Sequence, residues 1–352
     1  MRLEQLNSGE GRGRGVRVRC PRSVFIVSSL LLPLMAVIGG FAVLTVSADR
    51  LIGAAATLAK HMGLSIVFIG MTIVAFGTSA PELLVSAVAA LNGAEGLSVG
   101  NAIGSNIINT GLVLGICALI TPLMVSRQFL KREFPILAAV VLFAYLLLWN
   151  GYLGWPQGLA LLAGMVAYGI YLGRSHNSDD EVDVEFLAIG KHRAMIETLL
   201  MLVLLLASSQ VMVWGSVELA RAFGISELVI GLTVIAFGTS LPELAAAIAG
   251  VRRGLYDMTL ATVIGSNIFN LLGVLAFPGL IGDGVTLPAE VLARDLPVMT
   301  ALTLVTGVFF YLARLSGGRA AAVPMHRMAG VTLLLGFASY MGVLARDVGA
   351  AL

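Results

Sequence analysis

Two glutamates stand inside apolar stretches of the chain, and each ends the same short polar motif. Glu82 ends Gly-Thr-Ser-Ala-Pro-Glu, and Glu243 ends Gly-Thr-Ser-Leu-Pro-Glu. An ionised carboxylate at the centre of a membrane helix costs roughly 2.5 kcal/mol or more, so it is rarely kept without a function. A protonated glutamate bonded to a neighbouring helix is the structural alternative. Because the motif occurs twice, we favour carboxylates that bind a cation.

The residues before each glutamate can supply further oxygen ligands. Thr78 and Thr239 each lie four residues before a glutamate, which places hydroxyl and carboxylate on one helix face. In each motif the proline before the glutamate removes a backbone hydrogen-bond donor, and the glycine before the threonine makes the helix easier to bend. We therefore expect broken helices whose freed carbonyls, from Ala75 to Thr78 and from Ala236 to Thr239, face ions.

A second polar patch follows each motif. Ser105 with Asn109, and Ser266 with Asn270, are again four residues apart and offer neutral oxygens. The resulting ligand set is all oxygen, which suits calcium with its six to eight ligands and also suits sodium, and suits magnesium less. The serines and the glycines beside them have a competing interpretation as close-packing positions between membrane helices.

The two copies belong to one internal repeat. An offset of 161 residues aligns residues 63–115 with 224–276 without a gap, and 22 of these 53 positions are identical. The identities concentrate in the two polar patches, which hydrophobic similarity alone does not explain. Asn106 and Asn267, also matched, are interpreted as hydrogen-bonding between helices.

Composition places these motifs in a membrane. The 352 residues are 58% hydrophobic and 12% charged, whereas a soluble domain is about a quarter charged. Apolar runs of about twenty residues recur along the chain, each long enough to cross the hydrocarbon core. Ten spans are predicted, at 24–48, 64–91, 98–122, 133–150, 154–173, 196–220, 225–250, 258–281, 293–313 and 322–345.

The spans predict an all-α polytopic membrane protein. We divide the chain into a basic tail (1–23), a first five-helix repeat (24–173), a linker (174–195), a second five-helix repeat (196–346) and a C-terminal end (347–352). Because five is odd, the two repeats enter the membrane from opposite sides. Such inverted repeats place a site at the midplane, where the helices break.

Positive charge predicts the orientation. Thirteen lysines and arginines fall in loops on the side of the linker and three on the other side, so the linker is predicted to be cytoplasmic. Six arginines of the tail oppose this assignment. A bacterial inner membrane is the expected location.

Other functional classes find little support. A net charge of +2 implies no nucleic-acid partner. Cys20 and Cys117 offer no disulfide framework or thiolate site. An intramembrane hydrolase using Ser79 or Ser240 would lack a histidine or lysine base within the spans. We expect no enzymatic activity and no cofactor.

At these motifs the sequence resembles the calcium/cation antiporter superfamily, and specifically its sodium/calcium exchanger family. The resemblance implies an ion site formed by twelve residues, six from each repeat: Ala75, Thr78, Ser79, Glu82, Ser105, Asn109, Ala236, Thr239, Ser240, Glu243, Ser266 and Asn270. One departure is that Ala261-Thr262 replaces the Gly100-Asn101 of the first copy. In having an amide at Asn270, the sequence resembles the potassium-independent members of the family.

The resemblance implies a secondary antiporter that exchanges Ca²⁺ for Na⁺ by alternating access. The expected partners are these two ions and the lipid bilayer, with no protein partner implied. A Ca²⁺/H⁺ antiporter using the same two glutamates is the principal alternative. A passive channel is a further alternative, against which the inverted repeat argues.

Overall fold

The structure is a computed structural model that describes residues 22–174, 186–224, 236–281, 284–316 and 322–351. Most of these residues are helical. The helices are α1 Arg22–Met62, α2 Ile66–Thr78, α3 Ala80–Leu91, α4 Glu95–Ile120, α5 Arg127–Leu148, α6 Trp155–Arg174, α7 Lys191–Ala222, α8 Ala236–Thr239, α9 Leu241–Arg252, α10 Tyr256–Leu280, α11 Val291–Leu315 and α12 Arg327–Ala351. The strands are β1 Leu123–Ser126, β2 Tyr152–Leu153, β3 Val285–Thr286 and β4 Ala322–Met325.

The helices confirm a polytopic membrane protein. Among the described residues, seven helices are long and apolar enough to cross a membrane, and the bent pair α2 and α3 makes an eighth span. Helices also lie at the two remaining predicted positions. One is α5, whose first two turns carry the charged residues Lys131, Arg132 and Glu133. The other is α9, whose predicted span starts at residue 225, before the described part resumes at 236.

The first helix is longer than the sequence pattern predicts. The predicted span ends at residue 48, but α1 continues to Met62 and its later turns are buried, with Leu51, Ala55 and Ala59 fully covered. The described end of the linker packs here, since Leu187 donates its backbone N–H to the hydroxyl of Thr57 at 3.0 Å. Residues 179–185 of the linker, which are rich in aspartate and glutamate, lie outside the described residues.

Two helices form the centre of the bundle. All residues from Met258 to Leu272 of α10 are buried, and most of α4, its counterpart in the first repeat, is buried as well. In the other five single-helix candidate spans, most residues of the apolar stretch are not fully buried, as expected of helices that face lipid. The second polar patch of each repeat lies on this central pair.

Two short β-ribbons join the repeats, and the all-helical pattern did not predict them. Strand β1 pairs antiparallel with β4, and β2 pairs antiparallel with β3. Each ribbon combines one loop from each repeat. Helices that alternate in direction place β1 and β4 on the side of the linker and β2 and β3 on the opposite side. The pairing is therefore consistent with the alternation that ten spans require.

Small residues let the repeats approach closely. A Cβ built on Gly265 of α10 would lie 2.8 Å from the Cβ of Ala75 and 3.2 Å from the carbonyl oxygen of Met71. On the outer pair, a Cβ on Gly215 of α7 would lie 2.6 Å from the carbonyl oxygen of Pro33 in α1. These contacts support the close-packing interpretation of Gly265.

We predict that Gly265→Ala destabilises the protein. The added methyl meets backbone atoms of the neighbouring helix, and such overpacking costs about 1–3 kcal/mol, which lowers the unfolding midpoint by several degrees. Thermal unfolding of the purified protein in detergent measures this. Gly169→Ala is the control, because nothing lies within 4 Å of a Cβ at Gly169. Equal midpoints for both variants would contradict the packing.

Candidate ion-binding site

Each glutamate lies in the first turn of a helix that follows a break. In the first repeat the chain bends by 43° between α2 and α3, and Ser79 at the break has φ −80° and ψ 4°. Ser240 has nearly the same backbone angles between α8 and α9. The partial positive charge of a helix N-terminus favours a carboxylate in the first turn. The predicted helix breaks are therefore present, and they position Glu82 and Glu243.

Irregular helical turns accompany the site in the first repeat. Residues Gly70–Val74 of α2 and Ile108–Val113 of α4, which include Asn109, form π-helical turns. Such turns occur often at functional sites because they redirect side chains and backbone groups. In the second repeat, α10 is regular through Leu272, past Asn270, and tightens into a 3₁₀ turn only at Val274–Ala276. The backbones of α4 and α10 therefore differ around Asn109 and Asn270.

Polar contacts cross between the repeats. The Ser79 hydroxyl donates to Oε1 of Glu243 at 3.3 Å. In the reciprocal direction, Glu82 interacts electrostatically with the Thr239 hydroxyl and with Glu243. The inverted repeats thus bring both glutamates, predicted from distant segments, into one cluster.

The second polar patch of the second repeat contacts the first motif of the first repeat through Ser266. The Thr78 and Ser266 hydroxyl oxygens lie 3.4 Å apart. Ser105, Asn109 and Asn270 are also buried within α4 and α10. Ser240 at the second break is likewise buried.

Many polar atoms of this cluster lack a protein partner although they are buried. Both glutamates are fully buried, and so are Asn109 and Asn270. Buried polar atoms are normally hydrogen-bonded, so a concentration of exceptions calls for an explanation. Among the described residues, the predicted ligand oxygens that lack a partner are Oε1 and Oε2 of Glu82, Oε2 of Glu243, Oδ1 of Asn109, Oδ1 of Asn270 and Oγ of Ser240. Carboxylate, amide and hydroxyl oxygens are the ligands of hard cations.

The two backbone carbonyls expected as ligands are those of Ala75 and Ala236. The Ala75 carbonyl accepts hydrogen bonds from the Ser79 backbone N–H at 3.0 Å, and from the Thr78 and Ser266 hydroxyls at 3.3 Å each. This carbonyl is therefore not free, and an ion at Ala75 has to displace at least one hydroxyl. Ala236, its counterpart, is the first residue after the undescribed stretch 225–235.

The remaining matched asparagines behave differently from each other. Asn267 donates to the Thr110 hydroxyl of another helix at 2.9 Å, as predicted for a contact between helices. Asn106 instead donates to the Ala102 carbonyl of its own helix at 2.8 Å. The interhelical interpretation of Asn106 is thus wrong, because its amide satisfies the preceding turn.

Two residues that sequence reasoning did not assign to the site support its helices. The Asn101 amide donates to the backbone carbonyl of Glu82 at 3.1 Å and to the Ser86 hydroxyl at 2.9 Å. The Ser209 hydroxyl of α7 donates to the Gly238 carbonyl beside the second break at 2.9 Å. In the sequence, Asn101 stands out only because the second copy has a different residue there. Its role depends on hydrogen bonds to the facing helix, which the sequence alone does not show.

The polar groups around Ser79 differ from those of a nucleophilic serine. The hydroxyl of Ser79 faces a carboxylate rather than an imidazole or amine. In the part of the chain that the structure describes, no group of three or more histidine, cysteine, aspartate or glutamate side chains could hold a metal ion. The cluster is instead two carboxylates surrounded by neutral oxygens.

Helices broken at the middle of opposed repeats, around buried carboxylates, are the architecture of a polytopic membrane transporter. The sequence profile of the sodium/calcium exchanger protein family matches residues 32–174 and 194–345. The chain belongs to this family, which confirms the resemblance drawn from the motifs.

Similar proteins match over nearly their whole length. The putative antiporter CaxA of Alkalimonas amylolytica is 42% identical, over 90% of this chain and 99% of its own. The inner membrane protein YrbG of Escherichia coli is 36% identical, over 90% and 97%. The sodium/calcium exchanger MaX1 of Methanosarcina acetivorans is 29% identical, over 87% and 96%.

Solved structures of the sodium-calcium exchanger NCX_Mj share the fold. One, soaked with 100 mM Na⁺ and 10 mM Sr²⁺, superimposes with a TM-score of 0.77 at 31% identity, covering 89% of this chain and 98% of NCX_Mj. Another, soaked with 2.5 mM Na⁺ and 0.1 mM Ca²⁺, gives a TM-score of 0.76 at 30% identity.

We predict that Ca²⁺ raises the unfolding temperature of the wild type but not of Glu82→Gln or Glu243→Gln. A bound ion stabilises the folded state by about 2.7 kcal/mol at a hundred times its Kd. Without ions, the variants should unfold at the same or a higher temperature, because each removes one of two buried like charges. Thermal unfolding across a calcium titration measures both effects.

The exposed carboxylate Glu290 provides the control for this titration. Glu290→Gln should keep the full response to Ca²⁺. A normal calcium response in both site variants would place the ion elsewhere.

Proposed function

We propose that this protein exchanges Ca²⁺ for Na⁺ across the membrane by alternating access. The ions bind within the cluster at the two helix breaks. Its ligands are Glu82 and Glu243 with the hydroxyls of Thr78, Thr239, Ser79, Ser240, Ser105 and Ser266, the amide oxygens of Asn109 and Asn270, and the carbonyls of Ala75 and Ala236.

The observation that carries this proposal is the set of buried oxygens without partners. Six such atoms, contributed by both repeats, equal the smallest coordination number that calcium commonly adopts. Two carboxylates supply a formal charge of −2, which one Ca²⁺ or two Na⁺ neutralise. The same oxygens therefore serve either ion in turn. Asn270 keeps the charge at this value, since an amide adds none.

The buried charge also explains exchange rather than one-way release. An empty cluster would carry two unpaired carboxylates into a closed, dehydrated state, at a cost of several kcal/mol per ion. A loaded cluster avoids most of that cost. The transporter therefore changes its accessible side only when ions are bound, and the release of one ion has to be followed by the binding of another.

Orientation and location complete the proposal. We place the linker in the cytoplasm on the bias of lysine and arginine toward its side. A bacterial inner membrane is supported by the similarity to the Escherichia coli inner membrane protein. With an inward sodium gradient across that membrane, sodium entering the cell drives calcium out.

The test is uptake of radioactive calcium into proteoliposomes loaded with sodium. We predict uptake that requires an outward sodium gradient and that Glu82→Gln and Glu243→Gln each abolish. Removing one buried charge that pairs with an ion costs about 3 kcal/mol or more, a loss in affinity of more than about a hundredfold. Glu290→Gln is the matched control and should transport at the wild-type rate.

The same assay separates the alternatives. Calcium uptake driven by a proton gradient without sodium would identify a Ca²⁺/H⁺ antiporter that uses the same glutamates. Uptake without any counter-ion gradient, insensitive to trans ions, would identify a channel. Absence of calcium flux under both gradients would reject calcium as the substrate.

A further inference from the structure

A groove runs between α1 and α9 on the outside of the bundle. It encloses about 370 Å³. Its floor is apolar, with Leu44 and Ala249 buried and Leu244 half-buried, while Phe41 and Val46 form an exposed wall. This groove lies on the face of α9 opposite Glu243 and is separate from the ion cluster.

The groove spans one leaflet of a bilayer. Helices α1 and α9 belong to the first and seventh spans and therefore run in the same direction. Phe41 to Arg50 on α1, and Leu241 to Arg252 on α9, cover ten and twelve residues, and the nine and eleven steps between their ends correspond to about 13–17 Å of helix. Half of a hydrocarbon core of about 30 Å is close to this length. The apolar part thus matches one acyl chain in depth, and the arginines lie where headgroups begin.

Positive charge is concentrated at the headgroup end of the groove. Asp49, the acidic residue at the rim, is held by Arg253 through two hydrogen bonds of 2.8 and 2.7 Å. Arg50 forms an ion pair with Glu197 at 3.4 Å but keeps about half of its side chain exposed. Arg252 is exposed and forms no ion pair with any described residue. The rim can therefore accept an anionic group from outside the protein.

The pseudo-symmetric position provides an internal comparison. At the offset of 161 residues, Arg50 corresponds to Val211 and Arg252 corresponds to Leu91. The corresponding positions on α7 and α3 therefore carry no arginine. The inverted repeat alone does not require these two cations, so they belong to a feature of the linker side only.

We propose that the groove between α1 and α9 binds an anionic phospholipid from the leaflet on the linker side. The phosphate lies between Arg50 and Arg252, and one acyl chain follows the apolar floor toward Phe41 and Leu241. Anionic lipids are attracted to lysine and arginine beside the membrane, and a cationic pair above an acyl-sized groove selects them over neutral lipids. This inference is independent of which ion the protein exchanges.

The experiment is native mass spectrometry of the purified protein titrated with phosphatidylglycerol or with phosphatidylcholine. The wild type should retain phosphatidylglycerol in preference. In Arg50→Gln/Arg252→Gln, retention should fall by about thirtyfold, the factor expected for two cationic contacts. Lys131→Gln/Arg314→Gln is the matched control, since it removes two exposed charges of the same side outside the groove.

A second variant tests the groove itself. Thr45 lines the groove and is exposed, so Thr45→Trp fills it while both arginines remain. This variant should lose the lipid and keep the wild-type unfolding temperature in neutral detergent. Retention of phosphatidylglycerol by Thr45→Trp, equal losses in the two double variants, or equal binding of soluble glycerol phosphate would each overturn the proposal.

Discussion

The constraint on which this structure depends is the burial of two carboxylates close together inside a membrane. Neither Glu82 nor Glu243 reaches solvent, and each repeat contributes one of them. Such a pair persists only if surrounding dipoles and hydroxyls support it and if ions neutralise it. The helix breaks supply N-termini beside both glutamates, and the close approach at Gly265 brings the opposite repeat within reach. The inverted repeat, the helix breaks and the close approach at Gly265 thus act together to allow the burial of both carboxylates.

The sequence was informative where the same residues occur twice. The duplicated motifs located both glutamates, the breaks and two serines, Ser79 and Ser266, that each contact the opposite repeat, because duplication separates a polar site from chance substitutions in apolar helices. The sequence was not informative where the structure depends on a contact with a distant part of the chain. Asp49 and Arg50 looked like the end of a span, yet Asp49 pairs with Arg253 and α1 continues to Met62. The β-ribbons were missed because two to four residues in a loop carry no detectable period.

The two repeats also differ in the hydrogen bonds that support the site. Asn101 ties α4 to the backbone of Glu82, whereas its counterpart Thr262 bonds to the Met258 carbonyl in its own helix. Conversely, Ser209 supports the second break, and the matching residue of the first repeat is Ala48. Each repeat therefore fixes its glutamate by a different neighbour. The two halves of the site are alike in ligands and unlike in support, which gives the two carboxylates different surroundings.

The β-ribbons have a consequence for the order in which the protein assembles. Strand β1 is made early, but its partner β4 lies close to the far end of the chain. At 5–20 residues per second, β1 waits on the order of ten seconds during synthesis before pairing becomes possible. The first repeat must spend that time in the membrane with an open strand edge and one uncompensated carboxylate. Closing the ribbons is therefore a late event, and completion of the ion cluster from both halves belongs to the same final stage of folding.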